Sequence, residues 1–514
     1  MEFNYRGKVI NYFTSTSIRS YGLLFIFCIP LFFINIGSSH DWGDDFAQYI
    51  HQARNMAQGI QQSITGYVYN PDYPMLGPSS YPVGFPLLLS PVCAVFGTGI
   101  SCFLYLETLF LVLTALLLLT FLKQFYSSFV SVLIVLLYVY NPWVLHFKME
   151  VMSDIPFSFF FFLCYMIYQN QVRQPGLRQS TPRLLVLAVL MGFLTSVRTI
   201  GVVFIVAVLL AEIRCVLSGK QKEFQLKQLI PCAVLCLGSV STYLVLNKLI
   251  FRTGQALLSE NLSSFRSAHF KTTVLQNLSY YLNVLQHFFA PENNSWQFIQ
   301  LFSGSLLFAF LVLGILKRMS EASGFMEILF FVYLGTLIVY PYSLAGFRFV
   351  LPLIPFVLYY IVQGLLCIRL HLKLNKSIFA SGLFIFTALS YKTSLSEMLQ
   401  TKNAILPGPQ QKESREAFDY IQSQTAANAT FDFIKPRALA LYTGRRAMSH
   451  RPLQSLSEIR QALVVNKVDY LVVHMISDDS LKAYVSRYAD ELDLCWSNRT
   501  FRIYRLKTVA AAVY

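Results

Sequence analysis

Three aspartates, Asp41, Asp44 and Asp45, fall within five residues of DWGDDFAQYIHQARNMAQG, directly after the almost wholly apolar run SYGLLFIFCIPLFFINIGSS. A second acidic pair, Glu150 and Asp154, stands four residues apart in HFKMEVMSDIPFSFF, on one helical face that His146 shares. Carboxylates at the edge of apolar runs are expensive and usually functional. An ionised carboxylate can take the proton from a hydroxyl whose oxygen is attacking a carbon centre. Cations stand at comparable places: Arg198 in SVRTIG, Arg348 in YSLAGFRFVLPLIPF, and Lys148 just ahead of Glu150. A guanidinium fork fits two phosphate oxygens. Acids and arginines together suit a lipid whose anionic phosphate carries a group to be transferred. Plainer readings exist for each residue. An Asp can cap a helix and complement its dipole, worth about 1 kcal/mol, and an arginine can snorkel to the membrane surface. One cap needs one acid, however, and the first cluster has three.

These residues need elements to hold them. The 514-residue chain is 55% hydrophobic and 13% charged, with 45 Phe and 30 Tyr, and its apolar runs are of the length a bilayer requires. About eleven spans (ten to thirteen) are expected, near 20–38, 103–122, 126–144, 152–170, 184–198, 200–217, 228–250, 296–316, 325–342, 347–368 and 377–394. The first run is long for a cleaved leader and reads as a retained span. Of the 25 Lys and Arg in residues 1–394, 16 fall in segments that alternate onto one side. That bias places the N-terminus in the cytoplasm and, with an odd span count, the C-terminus outside. It also accounts for most of the +15 charge without a nucleic-acid partner. Nine cysteines lie scattered with no CxxC and no metal spacing.

The acids therefore sit on the outer face. Phe46, Tyr49, Ile50, Ala53, Met56 and Ala57 recur at helical spacing, so 44–59 reads as an amphipathic helix within an outer loop 39–102. YPVGFPLLLSPVCAVFG (81–97) carries three prolines and reads as an interfacial helix. A second outer loop covers 251–295. Residues 395–514 alternate polar helices, KESREAFDYIQSQT and DDSLKAYVSRYADEL, with strands at 429–434 and 469–474 and a hairpin over 493–506. They form a small extracytoplasmic α/β domain after a transmembrane domain, 1–394.

The order of these pieces resembles the GT-C membrane glycosyltransferases, in particular the branch of dolichyl-phosphate-mannose protein mannosyltransferases and bacterial aminoarabinose transferases. The resemblance rests on GDDFAQYIHQARNMAQG, YPVGFPLLLSPVCAVFG, MSDIPFSFF and FRFVLPLIPFVL, in that order. It implies a polyprenyl-phosphate sugar donor, a catalytic Asp in the first loop, inverting transfer and, from the bacterial members, an inner-membrane location. Asp44 matches the first acid of the family's Asp-Glu pair and Asp45 replaces the Glu, which leaves open which of the two is the base. Glu107 matches no part of the pattern.

One carboxylate suffices for such a transfer, since the leaving phosphate is already an anion. Asp44 is the first choice as base and Asp45 the second. Asp154 and Glu150 would orient the acceptor, tune the base or, with Asp44, hold a divalent cation. Arg348 and Arg198 would stabilise the leaving phosphate, with Lys148 a weaker candidate. Tyr81, like Tyr67, Tyr69 and Tyr73, would contact sugar or prenyl chain. The acceptor, whether protein, lipid or glycan, is not readable. A flippase would place ionisable residues at mid-span in two corresponding halves, which the sequence lacks. A polysaccharide ligase or polymerase using a lipid-diphosphate glycan would share the arginines but gives no reason for the first-loop acids.

Overall fold

The computed structural model describes residues 15–34, 36–73, 76–169, 181–217, 230–251, 270–287, 297–322, 324–340, 346–372, scattered positions over 375–399, then 405–477 and 479–507. The apolar runs of the first 372 positions, in their described residues, fold as helices. Among the described residues, Ile100–Leu122, Ile230–Ile250 and Phe347–Ile368 are long and apolar enough to cross a membrane. A fourth crossing would be Ser128–Val139 with Pro142–Lys148, bent by 57°. The bend has a local cause. Asn141 caps the second helix, accepting from the backbone N–H groups of Trp143 and Val144, and Pro142 opens it.

Other expected spans are shorter than eleven full crossings require. The first is the helix Ser15–Cys28, which tightens to a 3-10 turn over Ile29–Phe32 at Pro30. Gly84–Phe96, Asp154–Ile167, Pro182–Val197 and Phe325–Val339 are also short apolar helices. The expected outer loop 251–295 contains a helix, Phe270–His287, absent from the sequence reading. The remainder of that loop, and most of the expected span 377–394, lie outside the described residues.

Helices pack closely where side chains vanish. Gln297–Ala322 crosses Ile354–Leu372 at Gly314 and Gly364; a Cβ on Gly314 would stand 1.8 Å from the Tyr360 carbonyl oxygen, and one on Gly364 2.0 Å from that of Phe310. Only glycine permits that approach. Phe347–Val350, a 3-10 turn Leu351–Leu353 and Ile354–Leu372 form one interrupted run, because Pro352 and Pro355 lack the N–H that a continuous helix needs.

The C-terminal unit is a five-stranded sheet in the order β2 (Arg446–Met448), β1 (Thr430–Asp432), β3 (Tyr470–His474), β5 (Phe501–Leu506), β4 (Leu492–Ser497). The first three are parallel, with Phe431 opposite both Ala447 and Tyr470, and β5 and β4 form an antiparallel hairpin. Helices Lys412–Gln424, Pro436–Thr443, Leu456–Val465 and Leu481–Arg487 pack around it. The loop 39–102, in its described residues, docks on this unit. Tyr67 bridges Ala447 beside the edge strand β2, and Trp42 meets Phe418, Phe433, His474 and Phe501 edge-on.

Candidate active site

The helix Asp45–Ala57 buries Phe46, Tyr49, Ile50 and Ala53 and presents Asp45 from its first turn. The Asp45 carboxylate receives different partners on its two oxygens. Oδ1 accepts the Tyr81 hydroxyl at 2.6 Å and Arg437 Nη1 at 3.0 Å. Oδ2 accepts both terminal nitrogens of Arg348 at 3.3 Å. The side chain stays 23% exposed. Burial alone would raise this carboxyl, but Arg348, Arg437 and the Tyr81 hydrogen bond outweigh it and hold it below the usual Asp value. Burial raises the Tyr81 phenol well above its ordinary value against the pull of Arg437, so it remains a donor.

Asp154 opens the helix Asp154–Ile167 and is fully buried. Its Oδ2 accepts Arg348 Nε at 3.0 Å and its Oδ1 pairs with Arg198. Arg348 thus spans two acids, from the first loop and from the second bend. Arg198 lies over the Phe349 ring at 4.9 Å, a cation–π contact. Tyr49 stacks on Tyr81 at 4.6 Å and its hydroxyl lies 3.2 Å from Ser153 Oγ, which joins the two acidic segments. His40 does the same from the other side, its Nε2 accepting the Val151 N–H at 3.2 Å.

Asp44 is one residue away and faces elsewhere. Its φ of 72° turns the chain just ahead of the helix. The carboxylate is buried, and its Oδ1 accepts the N–H of Ala438 at 3.1 Å, in the first turn of Pro436–Thr443. Its Oδ2 stands 4.0 Å from Arg437 Nε, and neither atom has a hydrogen bond. Burial raises this carboxyl to about 6 against the attraction of Arg437.

Of the other expected residues, Glu150 pairs with His146 at 3.2 Å and Lys148 donates to the Ile34 carbonyl at 2.7 Å. Both hold the bend in shape and neither contacts the Asp45–Arg348–Asp154 group. Glu107 is buried beside Met152 and Asp154. Asp44 and Asp154, weighed above as cation ligands, are engaged by different partners, and among the described residues no three His, Cys, Asp or Glu side chains are grouped to hold a metal ion.

No family model matches the chain, and no curated protein matches it by sequence. Solved structures do. An ArnT from Cupriavidus metallidurans bound to undecaprenyl phosphate superimposes with a TM-score of 0.60 at 11% identity, covering 98% of this chain and 100% of that one. The archaeal oligosaccharyltransferase AglB from Archaeoglobus fulgidus, in complex with an inhibitory peptide and a dolichol-phosphate, gives 0.57 at 12% identity over 92% of this chain and 71% of that one. Both are GT-C superfamily membrane glycosyltransferases. The chain has the GT-C fold. Within this GT-C fold, six segments far apart in sequence supply one acid–arginine cluster: Asp44 and Asp45, Tyr81, Asp154, Arg198, Arg348, and Arg437. Arg437 is the member that sequence reasoning missed. Its available signal was a cation pair, Lys435 and Arg437, at the start of an apolar helix, KPRALALY.

Proposed function

We propose that the protein is an integral membrane glycosyltransferase that moves a sugar from a polyprenyl-phosphate donor to an acceptor hydroxyl on the outer face of the membrane. The observation that carries the reading is the meeting of a partly exposed Asp45 with Arg348 at the start of a span, inside a GT-C fold. The lipid-phosphate donor draws support from the two relatives just described, one with undecaprenyl phosphate bound and one with a dolichol-phosphate.

Asp45, not Asp44, is the general base. Asp44 is spent on the C-terminal unit and has no open face, whereas Asp45 Oδ2 is held only by the longer contacts to Arg348. The donor phosphate takes the Arg348 fork, backed by Arg198, and releases Oδ2. The acceptor hydroxyl then gives its proton to Asp45 Oδ2 while its oxygen forms a bond to the anomeric carbon. The anomeric C–O bond to phosphate breaks, its electron pair leaves with the polyprenyl phosphate, and the configuration inverts. Arg348 and Arg198 stabilise the charge that grows on the departing oxygen. Asp154 aims Arg348, and Tyr81 holds Oδ1.

Mass spectrometry of lipid co-purifying with the protein tests the donor class. A polyprenyl monophosphate sugar supports the reading, and a lipid-diphosphate glycan would replace it with a ligase. The same reading puts the N-terminus in the cytoplasm and residues 395–514 outside. A C-terminal reporter active only in the cytoplasm should stay silent.

A further inference from the structure

Arg437 is among the largest fully buried side chains of the described residues, and it belongs to the C-terminal unit, not to the membrane helices. A buried guanidinium persists only where its charge and donors are met. This one is met by a built socket at both terminal nitrogens, with Nε left 4.0 Å from Asp44 Oδ2. Tyr67 and Tyr81 flank it, with ring centroids 4.8 and 5.0 Å from the guanidinium carbon. Nη2 donates to the Pro78 carbonyl at 3.3 Å, and Nη1 donates to the Tyr81 hydroxyl and to Asp45 Oδ1, each at 3.0 Å. Gly77 makes the room: its φ is +107°, and a Cβ there would stand 2.6 Å from Nη2. Asp44 holds the helix that carries the arm through the Ala438 N–H.

If Arg437 were docking glue, Asp44 alone would answer its charge. The arm reaches past Asp44 to Asp45 and takes the oxygen that Arg348 does not. We infer that Arg437 is a positioning residue for Asp45, delivered by the C-terminal unit, which pins Oδ1 and leaves Oδ2 to meet the acceptor. The inference rests on the reading of Asp45 as base. It follows that the C-terminal unit is a working part of the active site: when phosphate draws Arg348 away, Arg437 is the cation that stays with Asp45 and keeps it ionised and aimed.

The test is an infrared titration of the full-length protein in lipid nanodiscs, reading the protonated-carboxyl band that disappears in Asp45→Asn. In the wild type this band should appear only below the ordinary Asp range. Arg437→Met should move the titration upward by about 1 pH unit or more, since an adjacent opposite charge depresses a carboxyl by that much. Arg437→Lys should move it less. Gly77→Ala, which crowds the guanidinium without changing any charge, should shift it in the same direction as Arg437→Met, and it carries the test if Arg437→Met does not yield folded protein. A titration in folded Arg437→Met, or in Gly77→Ala where that variant carries the test, that coincides with the wild type would overturn the inference. Turnover separates the two readings. Activity retained by Asp45→Asn sinks the base assignment, whereas an unmoved titration in an enzyme that needs Asp45 sinks the role of Arg437 alone.

Discussion

Two clusters of acids and cations lie inside this protein, and they are built differently. The outer one joins Asp44, Asp45, Asp154, Arg198, Arg348 and Arg437 across the loop, the second bend, a late span and the C-terminal unit. The other lies wholly within the C-terminal unit, at the carboxyl end of its parallel strands. There Asp432 faces His450 Nδ1 at 3.1 Å and Asp479 lies 3.7 Å from Nε2. Burial would lower this imidazole, but the two carboxylates outweigh it and hold it above its ordinary value. All three side chains are sealed, and Asp479 is further tied to the backbone N–H groups of Leu481 and His474. The sealed cluster ties the ends of three parallel strands together. The outer cluster keeps Asp45 and Arg348 about a quarter exposed and held by contacts of 3.3 Å that an anion can exchange. Exchangeable partners, more than burial or charge, distinguish a working cluster from a structural one.

The sharpest way to break this contrast is Asp45→Asn. Turnover per folded molecule should fall by about 10²–10⁴, the usual worth of a general base. Next comes Arg348. Arg348→Ala should lose about 10²–10³ in kcat as well as donor affinity, because phosphate charge grows during departure. Arg348→Lys should keep a fraction of both. A variant with normal kcat and only poorer membrane insertion would make Arg348 an interfacial anchor. In the sealed cluster, Asp432→Ala should cost about 3–5 kcal/mol of stability by stranding His450, read by denaturation, while turnover per folded molecule stays near normal.

The smallest effect is expected at Asp44. Asp44→Asn keeps an acceptor for the Ala438 N–H and should lower turnover less than tenfold, about the loss that one cap at about 1 kcal/mol can produce. The pH profile of kcat/KM, which reports the free enzyme, separates the two aspartates. If Asp45 is the base, activity should hold as pH falls through 6 and drop only below the ordinary Asp range, because Asp45 is held down by its arginines. An acid limb near 6 that vanishes in Asp44→Asn would return the role to Asp44, whose carboxyl burial raises to about 6.

Much of the outer cluster was legible because its chemistry conflicts with its surroundings. Asp154, Arg198 and Arg348 stand out as charges against apolar runs, and the structure brings them together. The choice between Asp44 and Asp45 was not legible. Helical periodicity begins at Asp45, and a left-handed residue just ahead of it points where no repeat can say. Glu150 and Lys148 look equally catalytic in sequence, yet local partners claim them, His146 for one and the Ile34 carbonyl for the other. Arg437 lies 392 residues from Asp45, and the docking of the loop on the C-terminal unit, through Gly66–Val68 on β2, Trp42 and Asp44, brings them together. β2 itself is three residues long, too short for alternation to register. The helix Phe270–His287 was missed because its apolar residues are diluted by Lys, Thr, Gln and Asn, which read as loop.

The outer cluster holds three carboxylates and three guanidiniums, so its formal charge is zero before any substrate arrives. On the proposed function, a polyprenyl-phosphate sugar brings one negative charge and takes Arg348 from Asp45. The acceptor then meets a carboxylate that has just become more basic, and water arriving earlier meets one that is still muted. Such a site imposes a sequence of events: donor first, acceptor second. Initial-rate kinetics should show ordered addition, and random addition would show that Asp45 is equally competent with the site empty.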